Sequence, residues 1–116
     1  MPINNKKQWK KLLAKAHEGN HEAQWEVGYY YETGFITQLN QLVIARNNDN
    51  LKKAFKWFFL SAKQGNESAQ LAVGNALSTD SGTKKDFSKA IYWTKKAIKQ
   101  GSSAGLHNLG TIYRDL

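Results

Sequence analysis

His17-Glu18-Gly19-Asn20-His21 spells H-E-x-x-H, the spacing at which zinc proteases place two histidine ligands on one helical face, with the glutamate beside the metal-bound water. That chemistry requires one unbroken helix through all five residues. Gly19-Asn20 in the middle argues against it, because glycine ends helices and asparagine begins them. The histidines are therefore expected on two different helices, and no third ligand is apparent. His107 stands alone, no two acids are spaced for general acid–base work, and Gly28, Gly74 and Gly110 lie too far apart to form a phosphate-cradling loop. No catalytic residue, metal or cofactor is expected.

The elements that would position any site come from an internal repeat. The stretch KAFKWFFLSAKQGNESAQLAVG, from Lys53 to Gly74, returns as KAIYWTKKAIKQGSSAGLHNLG from Lys89 to Gly110. A looser copy lies upstream, with Trp9, Ala16, Gly19, Ala23 and Gly28 in the same frame. Such a period marks a stacked-repeat architecture. Each copy reads as helix, two-residue turn, helix. Gly19, Gly65 and Gly101 end one helix, and Asn20, Asn66 and Ser102 cap the next. So short a connection makes the two helices antiparallel neighbours.

Trp9, Leu12, Leu13 and Ala16 fall on one face of the first helix, about Lys6 to Glu18. Ala23, Val27, Tyr30 and Tyr31 form the buried stripe of the second, about His21 to Glu32. The third helix, about Asn50 to Gln64, sets Ala54, Trp57, Phe58, Ser61 and Ala62 on one side and Phe55 and Phe59 on another, so it is expected between neighbours. The fifth, about Phe87 to Gln100, repeats it with Trp93. Trp57 and Trp93 are expected to be buried anchors, and Asn50 and Asp86 to be the N-caps of these two helices. Gly28, Gly74 and Gly110 sit inside helices at a conformational cost, which close helix packing would offset.

At 116 residues with no cysteine, the chain is expected to be a single helical-repeat domain, residues 1–116, held by packing alone. No run approaches the length of a membrane span, and the charged N-terminal stretch lacks a signal peptide's apolar region, which points to the cytoplasm. The net charge of +8 comes from fifteen lysines and two arginines. That balance suggests acidic partners, but lysine is a hydrated point charge and lacks arginine's bidentate fork, which weighs against nucleic acid. Most of the lysines read as a solvated face.

The first copy carries an insertion, residues 34–50, GFITQLNQLVIARNNDN. Its apolar residues, Phe35, Ile36, Leu39, Leu42, Val43 and Ile44, suit an extended or extra helix or a flap on the stack. Insertions in repeat proteins also tend to carry specificity.

Two motifs, Val27-Gly28-x-x-Tyr31-x-x-Gly34 and Asp86-x-x-Lys89-Ala90-x-x-Trp93-x-x-x-Ala97-x-x-x-Gly101, resemble the Sel-one-like repeat (SLR) family, a cousin of the tetratricopeptide repeat. The resemblance runs from about Trp9 to Tyr113. Leu77 stands where an aromatic is expected, Asp80 replaces a loop glycine, and the insertion interrupts the first loop. The resemblance implies an all-α fold: an α/α solenoid of antiparallel helical pairs, about six helices in two to three repeats. It further implies a protein-binding adaptor, commonly bacterial, outside the cysteine-rich secreted branch. In that family the first helix of each repeat lines the concave surface. The groove residues so implied are Glu22, Trp25, Glu26 and Tyr29, then Gln70 and Asn75, then His107 and Thr111, with Phe35, Ile36, Leu39 and Leu42 of the insertion beside them. Trp25 and Tyr29, four apart on one face, are the expected anchors.

The functional expectation is a non-enzymatic, monomeric module that binds one dedicated protein partner through its groove. Its small size and Asn- and Lys-rich composition suit an immunity or antitoxin-type protein that caps a bacterial toxin or effector. The alternative is a nucleic-acid or anionic-surface binder that uses the lysine-rich helices.

Overall fold

A computed structural model describes residues 3–36 and 43–116. Among these residues six helices follow one another: α1 (Lys6–His17), α2 (His21–Thr33), α3 (Asn48–Lys63), α4 (Glu67–Thr79), α5 (Phe87–Lys99) and α6 (Ser103–Asp115). Each packs against the next in chain order, most extensively α2 on α3 and α4 on α5. The stack measures 44 × 25 × 20 Å.

One local design ends α1, α3 and α5. Gly19, Gly65 and Gly101 adopt φ of 102°, 97° and 103°, a region that a side chain disfavours. The next residue folds back, so Asn20, Asn66 and Ser102 donate their amides to Lys15, Ser61 and Ala97 carbonyls five residues earlier. This is the Schellman closure. The same three residues then cap the following helix, their side chains accepting from the amides of Ala23, Ala69 and Gly105. Asp86 caps α5 as expected. The cap of α3 is Asn47, three residues before the expected Asn50, whose amide it accepts. The helix begins earlier because the Asn47 side chain takes up a first-turn amide and Asp49 places an acid in that turn.

The insertion is not helical at its ends. Gly34, at φ 77°, stops α2, and β1 (Phe35–Ile36) then pairs antiparallel with β2 (Val43–Ile44), Phe35 opposite Ile44 and Ile36 opposite Val43. The β-branched Ile36, Val43 and Ile44 suit that ribbon better than a helix. Ile44 turns inward and is buried with Ile3, Trp9, Ala16, Ala23 and Val27, so the returning arm docks on the stack. Leu39 and Leu42 lie outside the described residues.

A second core joins α3, α4, α5 and α6 through Ala54, Phe58, Ala62, Ala69, Val73, Leu77, Ala90 and Ile112. Phe58 is 2% exposed, whereas its neighbour Trp57 is only half-buried and meets the His17 ring edge-on at 4.9 Å. Trp93 is likewise half-buried; the fully buried residue beside it is Thr94. The expectation that both tryptophans are core anchors is thus corrected by one residue: the adjacent side chain points inward. Phe55 and Phe59 do link neighbours, stacking on each other at 6.0 Å, with Phe59 edge-on to Trp93 at 5.6 Å.

The interior glycines divide. A Cβ on Gly28 would lie 2.7 Å from Phe58, and one on Gly74 would collide with the Thr94 hydroxyl. Close packing explains both. Among the described residues nothing stands within 4 Å of a Cβ on Gly110, so packing against them does not explain that one.

Candidate functional site

Helix α3 separates α2 from α4, and the two flanking helices leave a groove with Phe58 at its base. Trp25, Tyr29 and Glu32 of α2 line one side; Ser68, Leu71, Ala72 and Asn75 of α4 line the other, around a cavity of about 270 Å³. The helical period puts Trp25, Tyr29 and Glu32 on one stripe, at i, i+4 and i+7. Gly28, one turn along, lets the Phe58 ring rise to the groove base. Trp25 and Tyr29 stack at 5.6 Å with their planes 25° apart. Tyr29 is 45% exposed, and Trp25 also packs partly on the core.

Glu32 is half-buried in this wall. Burial pushes its carboxyl above the usual range, partly opposed by the positive charge of Arg46. Burial also raises the Tyr31 phenol.

The expected groove residues are distributed unevenly. Glu22 and Glu26 share the α2 ridge with Trp25 and Tyr29 but face the other way, into a second depression of about 350 Å³ lined also by Ile3, Leu12, Lys11 and Lys15. Asn75 lies in the main groove and accepts a hydrogen bond from Asn108 Nδ2 at 2.9 Å, which bridges α4 to α6. His107 is exposed on α6, and Thr111 turns its hydroxyl back to the His107 carbonyl. Phe35 and Ile36 are placed by their backbone pairing only.

Gln70 does not belong to the groove. It is 5% exposed, donates to the Ala62 carbonyl at 3.3 Å, and accepts from Gln100 Nε2 at 2.8 Å. Gln24 does the same one repeat earlier, donating to Ala16 and accepting from Gln64. These amides tie one helical pair to the next. Buried polar groups must be paired, and this ladder pairs them.

His17 and His21 stand on different helices, as the Gly19-Asn20 turn requires. His17 closes α1 against Trp57; His21 opens α2, its ring 3.0 Å from Asn66 Nδ2 and its carbonyl accepting from Ser61. They are joints of the stack.

Glu32, Ser68, Leu71 and Ala72 were not expected in the groove, and Phe58 was expected only as packing. Leu71 occupies the repeat position of Trp25, and Glu32 continues the Trp25–Tyr29 stripe, so both carried a signal.

Charge is partitioned by helix. Helices α2, α4 and α6 contain no lysine, and α1, α3 and α5 carry every lysine except Lys84 and Lys85. Three glutamates, Glu22, Glu26 and Glu32, lie on α2 alone.

A sequence profile described as the Sel1 repeat matches residues 21–66 and 67–102. Among solved structures, a Sel1 repeat protein from Oxalobacter formigenes is 31% identical with a TM-score of 0.73, over 87% of this chain and 26% of that one. The protective antigen c5321 of uropathogenic Escherichia coli, which displays an SLR fold, is 26% identical with a TM-score of 0.55, over 90% of this chain and 28% of that one. The chain thus spans about a quarter of either relative's length. No curated protein matches it. With both repeats matched over more than half of its residues and the helical pairs superposing on those relatives, the chain belongs to the Sel1 repeat family.

Proposed function

We propose that the chain is a non-enzymatic protein-binding module that holds a dedicated partner in the groove between α2 and α4. The observation that carries this reading is the stacked Trp25–Tyr29 pair beside the Phe58 base, with Tyr29 exposed and Trp25 half-buried. Aromatic side chains that can be desolvated in a pocket supply most of the binding energy at protein interfaces. Membership in the Sel1 repeat family supports a protein partner. The narrower version is a monomeric immunity or antitoxin-type protein in a bacterial cytoplasm, acting on a toxin or effector; both solved relatives are bacterial. No helix among the described residues is long and apolar enough to cross a membrane.

The second reading, a polyanion binder, is favoured by the lysines gathered on α1, α3 and α5. Against it, Lys53, Lys63 and Lys96 lie over the rings of Tyr31, Phe59 and Tyr92 at 5.0–5.6 Å. Such lysines cover apolar surface with their stems.

A pull-down from the native host, washed at low and high salt, tests the choice. For a groove-bound protein, Trp25→Ala and Tyr29→Ala weaken binding by ~2 kcal/mol or more. For a polyanion, affinity falls steeply with log salt, charge reversal at Lys53, Lys56, Lys89 and Lys96 is damaging, and Trp25→Ala is nearly silent.

A further inference from the structure

Resting on that groove reading, we infer that the partner presents a basic segment, with a lysine or arginine side chain set against Glu32 and apolar side chains laid on Trp25, Tyr29 and Leu71. Three observations converge on this chemistry. Among the described lining residues the Glu32 carboxylate is the one acidic or basic side chain, and the rest are aromatic, aliphatic and neutral polar. Among the described residues no cation stands within salt-bridge distance of Glu32. Arg46 acts on the carboxylate from beyond ion-pair distance, so a direct ion pair is one that a ligand can supply.

The second observation is the charge partition. The groove helices α2 and α4 bear glutamates and no cation, while the lysines occupy the alternate helices. A formal charge of +8 would suggest that basic ligands are repelled. At physiological salt, however, exposed charges are screened over about 8 Å, so an approaching segment meets the local field. In the groove that field is set by Glu32, opposed only in part by Arg46; Glu22 and Glu26 face the second depression, beside Lys11 and Lys15.

The third is the aromatic pair. The faces of tryptophan and tyrosine attract cations, and Trp25 and Tyr29 stand two turns and one turn from Glu32 on the same stripe. An acidic segment would meet the opposite situation. Its carboxylates would approach the half-buried Glu32 carboxylate, whose charge Arg46 offsets only in part, and like charges in such a site exclude a ligand.

The test uses nitrogen-labelled full chain and two hexapeptides, one alternating arginine and leucine, the other glutamate and leucine, at about 0.15 M salt. The arginine peptide should shift the Trp25 indole N–H and the amides of Tyr29, Glu32 and Leu71. Glu32→Gln should weaken it about tenfold and Glu32→Lys should abolish it. The glutamate peptide should shift only amides of α1, α3 and α5. Glu32→Gln is close to isosteric, and its melting curve verifies folding. The inference is overturned if the arginine peptide leaves the groove signals unmoved, if both peptides enter the groove equally, or if Glu32→Gln binds as the wild type does. Equal entry of both peptides, abolished by Trp25→Ala, would leave the groove reading standing without the charge preference. Arginine-peptide binding indifferent to Trp25→Ala would count against both.

Discussion

The ring of Phe58 fills the space that a side chain on Gly28 would need: a Cβ there would lie 2.7 Å from Phe58 Cδ1 and 3.2 Å from the Ala54 carbonyl. The same place in the next repeat pairs Gly74 with Thr94, and in the last repeat Gly110 has no such neighbour among the described residues. Gly28→Ala and Gly74→Ala should each destabilise the fold by ~1–3 kcal/mol, the usual cost of overpacking. Gly110→Ala should stabilise it by about 0.5–1 kcal/mol, because only the helix-propensity gain remains. Phe58→Ala should cost ~3–5 kcal/mol, and Trp57→Ala less. Urea melts of these variants check the order, which fails if Gly110→Ala is the most damaging glycine change.

The glutamine ladder supplies a second expectation. Gln70→Ala removes the donor to Ala62 and the acceptor for Gln100 in a buried setting. It should cost about 1–3 kcal/mol, the penalty of unpaired buried polar groups. Partner affinity, measured below the melting range, should be unchanged. A variant of wild-type stability with weakened binding would return Gln70 to the groove.

These two cases show what the sequence could and could not reveal. The repeat period, the Schellman turns and the caps Asn20, Asn66, Asp86 and Ser102 depend on neighbouring residues, and all were legible. Gln70 was misplaced because a polar residue on a helix reads as exposed unless its partners are known, and its partners lie on other helices. Trp57 and Phe58 are adjacent, and a period of 3.6 residues does not say which of two adjacent apolar residues points inward. The ribbon of the insertion depends on pairing between segments that a linear reading treats separately. Trp25 and Tyr29 were recognised as a pair, but Glu32 was passed over because its burial arises from tertiary packing.

Thr94 holds a hydroxyl that is buried without a hydrogen-bond partner among the described residues. Thr94→Val keeps the shape and removes the unpaired group, so it should stabilise the protein by ~1 kcal/mol. Thermal melts decide it. A loss of stability would mean that the hydroxyl is paired in solution.

Glu32 makes stability depend on pH in a definite direction. Its carboxyl titrates higher in the folded protein than in the unfolded chain, because burial disfavours the charge. The folded state then holds the proton more tightly. This contribution is fully present below the unfolded carboxylate pKa of about 4.3 and is lost as pH rises through the folded value. The Glu32→Gln variant should therefore melt at or above the wild type at neutral pH, with the difference shrinking toward pH ~4. A variant that melts lower at neutral pH would show that Arg46 outweighs burial.

The claim that α2 and α4, rather than the lysine helices, receive the partner is tested most directly by photo-crosslinking. A benzophenone amino acid at Tyr29, which is 45% exposed in the groove, is compared with one at Tyr92, which is 54% exposed on α5 among the lysines. Both positions are accessible, so exposure alone does not distinguish them. Irradiation in the native host should join a discrete protein to the chain through position 29 and not through position 92. An adduct formed through position 92 alone, or one that contains nucleic acid, would contradict the account.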